Sequence, residues 1–127
     1  MRTAHLNGVG IALLLALLVG LGCNRTVPPP TPFTEAELAG EIEKAFATAK
    51  QPEAKDLAGQ VVAALQAKDY SKAFWAIQTL SAVQGLSKDQ AMVAARATLT
   101  IHTLLQSAQT QGDTQAGQTL QRYLQTK

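Results

Sequence analysis

Cysteine is almost missing from this chain: Cys23 is the only one in 127 residues. A single thiol excludes an intrachain disulfide and every cysteine-based zinc cluster. Aromatic residues are scarce at 5%, while hydrophobic residues overall reach 46%. A core must therefore be filled mainly by Ala, Leu, Val and Ile, which suits closely packed helices better than strands. Charge of one sign is also lacking. Arg2 and Arg25 precede Phe33, so nine of the 11 basic residues and all 9 acidic ones follow it, and the net charge beyond that point is zero. A neutral domain has no electrostatic footprint for nucleic acid, and none is expected as a partner. Nor is there a phosphate-cradling glycine loop, a nucleophile elbow or a paired metal motif, so no enzyme, cofactor or metal is expected.

What is present begins with an export-like leader. Arg2 and the amino terminus supply a weak positive end, and residues 9–21 form an apolar run rich in Leu. A spanning helix needs about 20 apolar residues, so this run of thirteen reads as a signal peptide over residues 1–22. Small residues Gly20 and Gly22 flank Leu21 immediately before Cys23.

This arrangement resembles the lipobox of bacterial lipoproteins, in which Leu, a small residue and Gly or Ala precede the modified Cys. Gly22-Cys23 matches the last two places, whereas Gly20 stands where Leu is usual and Leu21 where a small residue is usual. The pair Gly20-x-Gly22 also fits an ordinary signal peptidase. The resemblance implies cleavage before Cys23, a thioether-linked diacylglycerol and an amide-linked acyl chain such as palmitate on that residue, and a membrane-anchored protein. Two or more acyl chains give stable anchoring. With Asn24 rather than Asp after the cysteine, the resemblance implies the outer membrane of a two-membrane cell, facing the periplasm.

Residues 23–32 then form a tether that holds four of the 5 prolines. Consecutive prolines fix φ and remove amide donors, favouring extended polyproline II, which would place the head on the order of 25–30 Å from the anchor. A groove-binding proline ligand is the other reading of such a stretch.

From residue 33 the spacing predicts an all-α domain of about five short antiparallel helices. Thr34 and Glu37 make a capping box, with Phe33 placed to staple onto Leu38, and helix one is expected to run to about Lys50 with Leu38, Ile42, Ala45, Phe46 and Ala49 inward. Pro52 opens helix two, which buries Leu57, Val61, Ala64 and Leu65. Asp69 caps helix three, with Tyr70, Ala73, Phe74, Ile77 and Leu80 inward and an end near Gly85. Ser87 and Gln90 form a second box for a helix of about six turns, with Ala94, Ala97, Ile101, Leu104, Leu105 and Ala108 aligned. Gly112 ends it, and Asp113 opens helix five with Ala116, Leu120, Tyr123 and Leu124. No segment alternates as a half-buried strand would. The run Asp69-Tyr70-x-x-Ala73 resembles the opening of a tetratricopeptide helix, but no period of about 34 residues recurs, so it is a generic helix start. The cap pattern from Gly85 to Gly112 is similar to that of small exported helical proteins, a likeness that supplies a fold and no activity.

Three side chains stand out as possible partner-binding residues: Trp75, Met92 and Leu99. Trp75 lies about 160° round helix three from Ile77. It packs either under helix one or helix five, or outward as an aromatic anchor for a protein partner. Met92, Ala95 and Leu99 make a stripe opposite the main face of helix four. The expectation is that helix four is sandwiched within the bundle; the alternative joins the stripe to Trp75 in one exposed patch. His102 has no neighbouring cysteine or carboxylate in sequence, and the acidic residues of helix one, Glu37 and Glu41 among them, read as complements to the helix dipole rather than paired acid groups or calcium ligands. The residues thus favour a membrane-anchored protein-interaction or scaffold module, with a carrier of a small apolar ligand as the alternative.

Overall fold

Helix boundaries are set first by caps. The computed structural model describes residues 28–127, so the leader, Cys23 and the first residues of the tether lie outside the described part. Five helices follow: α1 Glu35–Phe46, α2 Pro52–Gln66, α3 Tyr70–Ser81, α4 Lys88–Thr110 and α5 Thr114–Gln125, with no strand among the described residues. The domain is all-α.

Both capping boxes form. The Thr34 hydroxyl accepts from the amide of Glu37 while the Glu37 carboxylate accepts from that of Thr34, and Ser87 and Gln90 repeat the exchange at α4. Asp69 and Asp113 accept from the amides of Lys72 and Ala116, opening α3 and α5. Each such cap satisfies a donor that the helix itself cannot, and contributes about 1 kcal/mol.

Two ends come earlier than the spacing predicts. Helix α1 stops at Phe46 rather than Lys50. Beyond it the Ala49 amide bonds the Phe46 carbonyl in a three-residue turn, and Gln51 is extended at φ −84° and ψ 119° ahead of Pro52. Ala49 is still buried, but from the connector. Helix α3 stops at Ser81, short of Gly85. Its end tightens into three-residue hydrogen bonds from Ala82 to Thr79 and from Val83 to Leu80, and Gly85 turns the chain at φ +80°.

Helices α1 to α4 close a ring in which each packs on the next and α4 returns to α1; α5 lies against α4 and, more lightly, α3. Short connectors make consecutive helices antiparallel. At the centre Ile42, Phe74, Ile77, Leu80, Ile101 and Leu105 are wholly shielded from solvent. Alanines 54, 73, 94, 97 and 116 are equally buried and let the helices approach closely. Polar tethers cross the ring at few points: the buried Gln90 side chain donates to the carbonyl of Ala45, tying α4 to α1.

One inward assignment fails. Leu124, expected in the core, is 71% exposed. Its place is taken by Thr119, which is buried and donates its hydroxyl to that of Ser71 at 3.0 Å. Leu124, about 140° from Thr119 round the helix, faces away from that contact.

Candidate interaction surfaces

Helix α3 presents Phe74 inward and its sequence neighbour Trp75 outward. Phe74 is the hub of an aromatic cluster: Tyr123 meets it edge-to-face at 5.1 Å, Trp75 at 5.5 Å and His102 at 6.2 Å. Trp75 is half-buried and packed against the core. Its free side forms the wall of a groove of about 360 Å³ between α3 and α5, whose rim carries Asp69, Lys72, Gln115, Gln118 and Arg122. The two readings of Trp75 therefore merge: it packs beside α5, and it also reaches a wet groove edged with two cations.

The stripe on α4 is not sandwiched. Met92 is 46% and Leu99 42% exposed, and Ala95 between them is half-buried. The ring explains this, because α4 packs against α1, α3 and α5, and no further helix among the described residues packs on it. Nor does the stripe join Trp75. Trp75 lines a groove with residues of α5, and neither Met92 nor Leu99 lines that groove. Gly117 lies against α4, where a Cβ would meet the Gln109 side-chain amide at 3.4 Å. Met92, Leu99 and Leu124 are the large hydrophobic side chains that stand exposed in the described domain.

Two residues not singled out by spacing prove structurally informative. The Arg96 guanidinium lies 3.7 Å over the Phe33 ring and donates to the Thr31 carbonyl at 2.7 Å. The buried Thr100 hydroxyl accepts from the Phe33 amide at 2.8 Å and lies 3.0 Å from its carbonyl. The chain thus enters the domain along the flank of α4. Arg96 could have been suspected, as the only charged residue between Asp89 and Asp113.

The titratable groups are spent on structure. Glu35 accepts from Lys68 at 2.8 Å and from the Tyr70 hydroxyl at 2.9 Å. The Lys68 hydrogen bond, with that of Tyr70, holds the Glu35 carboxyl below the usual glutamate value, and the same contact raises Lys68. Burial, then the bond to Glu35, pushes the Tyr70 phenol up. Glu37 is held down by the Thr34 hydroxyl and amide it caps. Glu41, one turn after Glu37 on α1, lines a groove with Lys44, Asp89 and Gln90. His102, half-buried against Phe74, meets none of these carboxylates. Among the described residues no group of three or more His, Cys, Asp or Glu is placed to hold a metal ion, and no helix is long and apolar enough to cross a membrane. The grooves on the described surface, between 230 and 360 Å³, open to solvent and mix polar with apolar lining.

Comparison of the chain with known protein families, with curated proteins and with solved structures finds no match.

Proposed function

We propose that the protein is an exported lipoprotein of the cell envelope, acylated on Cys23 and held at the outer membrane facing the periplasm. Its helical head serves as a protein-interaction or scaffold module through the groove at Trp75. The observation that carries this reading is the placement of the chain's sole tryptophan, part-buried on the wall of a groove that Lys72 and Arg122 also line. Tryptophan and arginine dominate the energetics of protein interfaces, because a broad rigid ring and a forked cation gain most when water is excluded. The hydroxyl pair of Ser71 and Thr119 beneath the groove joins α3 to α5, so the two walls form one preorganised surface.

Crosslinking in the native envelope tests the reading. Wild type and Arg122→Ala are compared first, because Arg122 is exposed and its loss leaves the core untouched; Trp75→Ala follows, with its fold checked by circular dichroism. A protein adduct that weakens in both variants supports the module. Adducts identical in all three remove the groove from the argument. Separately, Cys23→Ser should abolish acyl labelling and release the protein from membranes, and unchanged labelling refutes the anchor.

A further inference from the structure

We propose that the Trp75 groove takes an acidic, extended segment of a protein partner, with carboxylates on Arg122 and Lys72 and an apolar side chain on the indole. The inference rests on the proposed use of this groove as an interaction surface, and names the chemistry that fills it.

The groove has a direction. Thr119 meets Ser71 and, one turn on, Tyr123 meets Phe74, so α5 runs parallel to α3. The lining residues therefore fall in order, with Asp69 and Gln115 at one end, Lys72 and Gln118 between, and Trp75 and Arg122 at the other. From Gln115 to Arg122 the helix rises about 10 Å, the length of roughly three extended residues. A phosphate or lipid headgroup needs donors gathered round one point. Here the two cations stand on different helices along a trough with an indole in its wall, which suits a short run of chain.

Charge complementarity sets the sign of that chain. Neither Lys72 nor Arg122 has a carboxylate partner among the described residues, where the ion pair joins Lys68 to Glu35. The carboxylates close to the starts of α3 and α5 are engaged locally. Asp69 lines the groove, but at the end away from Trp75, where it accepts from the Lys72 amide and caps α3. Asp113 accepts from the Ala116 amide and lines the neighbouring groove. Glu35 is taken by Lys68 and Tyr70. The Trp75 end is thus cationic, and its guanidinium can hold a carboxylate in two parallel hydrogen bonds.

The floor adds an independent sign. Ser71 and Thr119 line the groove and are each only 6% exposed. Thr119 donates its hydroxyl to Ser71, which leaves the Ser71 hydrogen without an acceptor among the described residues. Buried hydroxyls normally find a partner, so the groove asks for an oxygen from outside. A segment rich in Asp and Glu brings oxygens to this donor and to both cations. A basic segment would strip water from Lys72 and Arg122 and leave them facing like charge. An aliphatic side chain next to the carboxylate on Arg122 would cover the indole and exclude water from that pair.

The test places a photoreactive p-benzoylphenylalanine at Gln118, an exposed position midway along the groove, in the full-length protein in its native envelope. The adduct is mapped by mass spectrometry and its yield compared in K72Q/R122Q and K72E/R122E backgrounds. Both cations are exposed, and an unchanged melting midpoint checks the fold of each variant; single substitutions replace a double one that melts lower. The expected result is a protein adduct whose segment carries Asp or Glu at two of about three consecutive positions. Its yield should fall about tenfold in K72Q/R122Q, as for two solvent-edge ion pairs, and further in K72E/R122E. A protein adduct that persists undiminished in both backgrounds, or maps to a segment without carboxylates, overturns the acidic partner and leaves the groove as an interaction surface. An adduct to lipid or glycan overturns both readings. No adduct from position 118 in the wild-type background removes the groove reading, and this inference with it.

Discussion

Replacing Thr100 with Val removes one hydroxyl from α4 and almost nothing else, since the two side chains share shape and differ little in helix propensity. That hydroxyl is only 5% exposed as part of its residue, accepts from the Phe33 amide at 2.8 Å, and lies 3.0 Å from the Phe33 carbonyl and 3.2 Å from that of Arg96. In Thr100→Val the Phe33 amide loses its partner while its ring remains buried at 7% exposure under the Arg96 guanidinium. A buried donor left unsatisfied costs about 1–3 kcal/mol, which in a domain of this size lowers the melting midpoint by roughly 5–15 °C. Thermal unfolding followed by circular dichroism at the helix band measures the shift. Thr103→Val is the control: the Thr103 hydroxyl also donates to the carbonyl four residues earlier, at 3.1 Å, but it is exposed and water replaces the bond. The control should stay within about 0.5 kcal/mol of wild type. Proteolytic nicking around residues 28–32 should also speed up in Thr100→Val alone, because the staple holding the chain on α4 is loosened. Equal midpoints for the two variants would refute the reasoning.

Burying a carboxylate in the ring should unfold it: Ile77→Asp and Ile101→Asp each place a charge where the wild-type residue has no solvent contact, and a cooperative melt of either near the wild-type midpoint would show the inward faces to be misassigned. Gly112→Ala strains a backbone at φ +96° in open space and should cost about 1 kcal/mol. Gly85→Ala should cost more in the same chemical-denaturation series, because at φ +80° its Cβ would also come within 2.8 Å of the Gln51 amide nitrogen, which donates to the Gln84 carbonyl. Glu35→Gln should lower stability slightly at neutral pH. The Glu35 carboxyl is held below its ordinary value of 4.5 by Lys68 and then Tyr70, so its contribution is full above that value and fades as pH falls through the depressed one. The melting difference between wild type and Glu35→Gln should vanish in acid, and a difference that grows there would contradict the sign.

Local chemistry was written plainly enough to read the helices directly. The pairs Thr34/Glu37 and Ser87/Gln90 start helices because each satisfies two otherwise unpaired amides within four residues. The inward residues of α1 to α4 followed from a period of about 3.6, and Leu38, Ile42, Phe46, Ile77 and Ile101 are buried as that period requires. Helix ends were less legible: α1 closes at Phe46 in a three-residue turn to Ala49 that its apolar period does not announce.

The surfaces that matter for function belong to the other category. Whether Met92 and Leu99 faced a neighbour depended on how many helices surround α4, and the ring left that side open. The groove at Trp75 depended on α5 and on a bond between Ser71 and Thr119, 48 positions apart. The docking of Thr31 and Phe33 on α4 spans 65 and 67 positions. Caps and periodicity are relations within a few residues, and the sequence by itself determined five helices and the inward faces of the first four. Which outward faces stay bare is a relation between helices distant along the chain, and only their packing decided it.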